Sequence, residues 1–247
     1  MSITYLHLSE TPSTNALMTE MLRVKTLPSG FVVAADFQSA GRGQANSKWE
    51  TERGKNLTFS ILYFPENLLA IENFIISQAA ALAVKTVLDN EIAAFTDDRF
   101  SVKWSNDVYF QDKKICGILI ENTLKVNVIQ HSIIGIGINI NQTAFHSGEP
   151  NPISLSQITH QNHNLKDILH KICEEIFFIL ENKKEYCEVK TNYFNSLYRL
   201  DGFYLFQTPD GETFSAKIFA IENDGKLILA TENGEKRGFY FKEVRFL

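Results

Sequence analysis

Ser9 to Leu22 opens on Ser, Thr, Pro, Ser, Thr and Asn, then passes into Ala16-Leu17-Met18-Thr19-Glu20-Met21-Leu22. Apolar residues recur there at helical spacing behind good N-cap residues, which predicts a helix starting near Ser13. Gly30 to Ala35 reads as a buried strand, and Asn56 to Tyr63 as an alternating one, so whatever lies between them bridges two strands. Asn73 to Leu88, rich in alanine and leucine, predicts a core helix. Ser101 to Trp104 and Ile115 to Glu121 read as strands flanking a segment whose Gln111-Asp112-Lys113-Lys114 centre is a turn. Val126 to Asn141 continues the sheet, and its glycines alternating with isoleucines (Gly135, Gly137) predict a close backbone approach on one face. Thr143 to Ser154, with Gly148, Pro150 and Pro152, reads as a loop, and Leu165 to Val189 as one long amphipathic helix.

After Tyr198 the texture changes. Short β-type runs at 203–207, 214–222, 226–230 and 238–246 are separated by Asp210-Gly211, Asp224-Gly225 and Asn233-Gly234, which are strong hairpin signals. So few short strands do not easily bury both faces, and a small barrel docked on a larger domain is expected.

Composition changes this picture little. The 247 residues are 44% hydrophobic and 21% charged, an ordinary globular balance with room for one large core. A net charge of −5 argues against a general nucleic-acid binder, whose affinity rests on a basic face. Cys116, Cys173 and Cys187 are widely spaced, no zinc-ligand spacing occurs, and the first residues lack the order of a signal peptide, so the cytoplasm is the simplest compartment. The best apolar window, Phe74 to Val84, is interrupted by Ser77 and Gln78 and is too short to cross a bilayer.

The candidate chemistry begins at Gly41-Arg42-Gly43-Gln44-Ala45-Asn46-Ser47-Lys48-Trp49. Glycines permit close backbone approach, Arg42 offers a planar fork of donors for phosphate or carboxylate, and Trp49 offers a flat apolar face. Alone, the run could equally be a surface hairpin. Ser13-Thr14-Asn15, Gln38, the segment Lys103 to Asn106, Lys114 and Asn139 are further polar groups at strand ends or helix starts. Each has a structural reading of its own: caps, a satisfied strand end, solvated lysines.

Their order is more specific than any one of them. Ser-Thr-Asn, then Gln-x-x-Gly-Arg-Gly with a tryptophan, Lys-Trp-x-Asn-Asp, Lys-x-x-Gly-Ile-Leu and Gly-x-Gly-x-Asn together resemble the catalytic domain of biotin protein ligases over nearly the whole chain. The resemblance implies an α+β fold: a mixed, mostly antiparallel central sheet flanked by helices over residues 1–195, and a small SH3-like barrel over 196–247. It implies ATP-dependent formation of biotinyl-5′-AMP, then transfer of biotin to a lysine on the carrier domain of a carboxylase, with ATP, biotin and Mg²⁺ required. Arg42 and Lys114 would be the catalytic cations. Ser13, Thr14, Asn15, Gln38, Gly41, Arg42, Gly43, Gln44, Lys114 and Gly117 would hold biotin, while Arg42, Trp49, Lys103, Asn106, Lys114 and Asn139 would hold the nucleotide. No metal ligand is assigned. A lipoate ligase, or a non-catalytic biotin-binding module, are the alternatives.

The chain departs from the usual Gly-Arg-Gly-Arg-x-Gly-Arg loop, with Gln44, Asn46 and Ser47 at the later positions, and Ser105 stands where proline is usual. Faster escape of the adenylate is therefore expected unless Lys48 or Arg53 compensates. Only twelve residues precede Ser13, so no DNA-binding domain and no DNA partner are expected, nor a membrane partner. Relatives are often dimers through the sheet, which leaves a homodimer open.

Overall fold

The computed structural model describes residues 2–44, 48–146, 151–182 and 186–247. The helix expected near Ser13 is α1 (Thr14–Val24), with the Ser13 side chain accepting from Ala16 N–H as N-cap, a contact worth about 1 kcal/mol. The expected strands are β2 (Phe31–Ala35), β3 (Leu57–Tyr63), β4 (Ser101–Lys103), β6 (Lys113–Lys125) and β7 (Val128–Ile138), and the core helix is α2 (Phe74–Ile92). With β1 (Thr4–Leu8) and β5 (Asp107–Phe110) they form a seven-stranded sheet in the order β1-β2-β3-β7-β6-β5-β4. Only β1 and β2 pair in parallel among these neighbours, so the sheet is mixed and mostly antiparallel.

Alternation along the strands sorts the two faces. Phe59, Ile61, Ile134, Ile136 and Ile138 join α2 and α4 (Leu165–Glu181) in the main core. On the other face α1 covers one end of the sheet with Met18, packed on Val33, Leu62 and Ile133. By length and composition α2 and its preceding turn could cross a bilayer, but α2 is buried nearly all round between the sheet, α4 and α5 (Tyr186–Asn195), as a core helix should be.

Two expectations are corrected. The long helix over 165–189 is two: α4 ends at Glu181, the ψ of 65° at Asn182 leaves the helical region, and α5 packs separately on α2. Asparagine is a poor residue for a helix interior, because its side chain can bond backbone groups in non-helical conformations. The segment 106–114 is more than a turn, because it carries β5 before the Gln111 reversal, where φ is +52°. A short helix α3 (Leu155–Thr159) also follows Ser154, closed by a capping box with Gln157.

The C-terminal strands are β8 (Tyr204–Gln207), β9 (Thr213–Ile221), β10 (Leu227–Thr231), β11 (Lys236–Phe239) and β12 (Arg245–Phe246). They make a five-stranded antiparallel sheet in the order β11-β10-β9-β8-β12, consistent with an SH3-like domain. Gly211, Gly225 and Gly234 take positive φ at the three expected turns, where glycine is least strained. Phe206, Ala216, Leu227 and Leu229 belong to the same buried cluster as the main core, so this module is packed onto the larger sheet. The run 238–246 is broken by a turn at 240–243, held by Glu243 N–H donating to the Tyr240 carbonyl at 3.0 Å.

Candidate active site

One row of residues runs across the open face of the sheet. Register pairs Ala35 with Thr58, Thr58 with Gly137, Gly137 with Gly117, Gly117 with Asp107, and Asp107 with Lys103. Glycines at its centre leave bare backbone as the floor of a pocket lined by most of the expected residues. The close approach predicted from the Gly–Ile alternation is present: a Cβ on Gly135 would overlap the Asn15 amide, and one on Gly137 would overlap the Trp49 ring.

At the α1 end the pocket is polar and uncharged. Gln38 Oε1 accepts from Thr14 N–H at 2.7 Å and from the Thr14 hydroxyl at 3.1 Å. The Ser60 hydroxyl lies 2.7 Å from that of Thr14 and 2.5 Å from Asn15 Oδ1. Asn15 Nδ2 donates to Glu121 at 2.7 Å. Ser60 and Glu121 do not line the pocket but hold Thr14 and Asn15 from behind; sequence reasoning missed them because they sit in strands of ordinary texture, placed only by the register of Ser60 with Gly135 and of Glu121 with Ile133.

Toward β5 the pocket becomes charged. Lys114 Nζ lies 2.8 Å from Asp107 Oδ2, both side chains about a quarter exposed, and an added Cβ on Gly117 would lie 3.4 Å from that Nζ. Lys114 is pinned through its backbone, donating to Asn151 O and accepting from Ile153 N–H, each at 3.0 Å. Asn106 lines the same end, its side-chain N–H given to the Ile118 carbonyl and its oxygen accepting from Ser105 at 2.7 Å. Asn139 Nδ2 donates to Ile153 O at 3.2 Å, while its buried Oδ1 has no partner among the described residues.

The glycine loop covers the middle. Trp49 N–H donates to Gly41 O at 3.1 Å, Arg42 bridges Lys48, and the Trp49 ring lies across Gly117 and Gly137, its buried Nε1 without a partner among the described residues. Gly43, Gln44, Lys48 and exposed Arg42 line the pocket; Gly41 is buried beside Gln38 and supports the loop from behind. Asn46 and Ser47 lie outside the described residues, as do Gly148 and Pro150. Arg53 donates to Ser9 O at 2.8 Å and pairs with Glu10; it does not line the pocket. The loop is rooted by Gln142, whose Oε1 accepts from Glu52 N–H at 2.9 Å and Asn56 Nδ2 at 2.5 Å, and by Glu50, which accepts from His146 N–H at 2.9 Å.

Lys103 is the expected ligand-binding residue that the fold directs elsewhere. Its Nζ lies 4.8, 5.8 and 5.4 Å from the ring centroids of Tyr109, Tyr198 and Phe246, in an aromatic cage shared with the C-terminal module. Burial pushes its ammonium below the ordinary lysine value, with Asp107 opposing the shift. The signal for this was absent from the Lys-Trp-x-Asn-Asp motif, because two of the three rings come from the distant chain end.

Residues 8–139 match the model of the Biotin/lipoate A/B protein ligase family. The chain is 29% identical over 223 residues to the bifunctional ligase/repressor BirA of Bacillus spizizenii, covering 85% of this chain and 64% of that relative. It is 34% identical over 136 residues to the biotin–[acetyl-CoA-carboxylase] ligase of Paracoccus denitrificans, covering 54% of this chain and 53% of the relative. Biotin protein ligase from Aquifex aeolicus, solved in complex with biotin and ATP, superposes with a TM-score of 0.77 at 28% identity over 99% of both chains. With more than half its length matched by the family model and the shared motifs gathered around one pocket, this chain belongs to the biotin/lipoate A/B protein ligase family.

Proposed function

We propose that the chain is an ATP-dependent biotin protein ligase. The observation that carries this reading is the graded pocket: neutral donors and acceptors at one end, a backbone floor in the middle, and Lys114 with Asp107 at the other. A ureido ring carries both donors and acceptors, which suits Thr14, Asn15 and Gln38; the dithiolane of lipoate carries no hydrogen-bond donor to use them. Trp49, expected on the nucleotide, lies against Gly117 and Gly137 and on this reading would instead enclose the bicycle and its chain together with the three glycines. Unpartnered Trp49 Nε1 and Asn139 Oδ1 suit a ligand bearing an acceptor and a donor, since leaving such groups buried and unpaired costs about 1–3 kcal/mol each.

In the first step a biotin carboxylate oxygen attacks the α-phosphorus of ATP, and the bond to pyrophosphate breaks. Two anions must approach, and unit charges about 4 Å apart repel by about 4 kcal/mol at an effective dielectric near 20. Lys114 and Arg42 offset that repulsion and hold the charge gathering on the phosphorus. In the second, the neutral amine of a carrier-domain lysine attacks the acyl carbon, AMP leaves, and the amide loses its proton to solvent or to the leaving phosphate. Positioning supplies most of the acceleration. Mg²⁺ would enter with the nucleotide, since it is usually held by substrate phosphates and one or two carboxylates.

The test is incubation with MgATP, biotin or lipoate, and the matching apo-carrier domains, followed by mass measurement of the acceptor. Addition of biotin alone to its carrier is expected; modification by lipoate instead, or none with biotin, overturns the reading. Lys114→Ala should slow biotinyl-5′-AMP formation at least a hundredfold in a folded protein, and a wild-type rate in that variant would remove Lys114 from the chemistry.

A further inference from the structure

The C-terminal module reaches the pocket through one ring. Phe241 lines the site although its neighbours in sequence belong to the second sheet. It stands at the corner of the 240–243 turn, where Lys242 takes a φ of +71°, a conformation that non-glycine residues adopt at a cost. Buried Phe239 and Val244 anchor the turn on either side, while Phe241 itself remains 45% exposed.

A chain of contacts fixes where the ring stands. Trp104, a pocket wall, donates its indole N–H to Gly225 O at 2.9 Å. Asp224, the preceding residue, accepts from Lys226 N–H at 3.1 Å and from the Tyr240 hydroxyl at 2.8 Å. Tyr240 N–H in turn donates to Glu243 at 2.7 Å, closing the turn that carries Phe241. The ring is therefore tied to the sheet at Trp104.

Sheet order gives its place along the ligand. The neutral cluster belongs to α1, β2 and β3, whereas Trp104, Asn106 and Asp107 lie at the β4–β5 side, which the module abuts. An acyl-adenylate with its uncharged head at Thr14–Asn15 and its phosphate at Lys114 must extend its nucleoside toward that side. We infer that Phe241 covers the nucleoside end of the bound adenylate and sets how long the intermediate is retained. This rests on the ligase reading; it adds a specificity and retention residue from the second sheet. A flat apolar face there suits an aromatic base, and no hydrogen bond from Phe241 is required.

The experiment compares wild type, Phe241→Ala and Phe241→Tyr. AMP affinity and biotin affinity are read separately by calorimetry, and release of biotinyl-5′-AMP by rapid dilution. Phe241→Ala should weaken AMP binding and speed release by about three- to tenfold, leave biotin affinity and the thermal midpoint unchanged, and be largely rescued in Phe241→Tyr, which keeps the ring. Unchanged AMP affinity and release in Phe241→Ala overturns the inference. So does a loss confined to biotin binding, or one confined to transfer onto the carrier. If wild type forms no biotinyl-5′-AMP, the ligase reading fails on its own, while AMP affinity still decides the role of Phe241.

Discussion

At the scale of single residues, the site is built as much by atoms withheld as by atoms supplied. Gly117, Gly135 and Gly137 clear the floor on which Trp49 and Asn15 rest. Gly137→Ala should push the Trp49 indole off the sheet and lower biotin affinity at least tenfold, because its Cβ has no room and forced overpacking costs about 1–3 kcal/mol. Calorimetric titration with biotin checks this, and tryptophan emission should shift as the ring becomes wetter. An unaltered affinity would mean that Trp49 is not part of the biotin wall. The glycines, Arg42, Lys114 and the Ser13–Asn15 cluster were legible in the sequence because each lies in a short motif. Ser60 and Glu121 were not, since a lone polar residue in a strand declares its partner only through register.

At the scale of elements, regular patterns were read well and interruptions poorly. The apolar period of α1, α2 and α4 and the Asp-Gly and Asn-Gly turns carried enough local signal to place them. Edge strand β1 lacks that signal because all of its residues are exposed or half-buried, and β5 is only four residues long. Lys103 shows the same limit: β4 points it along the row that contains Asp107, yet rings from β5, the chain near 198 and β12 claim it. Its lowered pKa has a testable sign. Where the folded value lies below the unfolded value near 10.5, the unfolded chain binds more protons between the two, so stability contributed by this position rises with pH through that window. Measured by thermal melts from pH 7 to 10.5, wild type should gain stability relative to Lys103→Met as pH rises. A pH-independent difference would place the ammonium in contact with solvent.

At the scale of the whole molecule, the two sheets share one core and one site. Gly225 sits where φ is +91° and an added Cβ would come within 2.5 Å of the Phe74 ring on α2. Gly225→Ala should therefore cost about 2 kcal/mol or more and lower the midpoint by roughly 4 °C or more. Scanning calorimetry should show that fall in a single transition, and two separated transitions would mean that the sheets unfold independently. Trp104 has a consequence of a different kind. The same indole that walls the pocket is the peg on which the second sheet hangs, so pocket shape and joint strength are written in one codon. Neither can drift under selection without dragging the other, and only the indole nitrogen, which serves the joint alone, offers a way to pull the two apart.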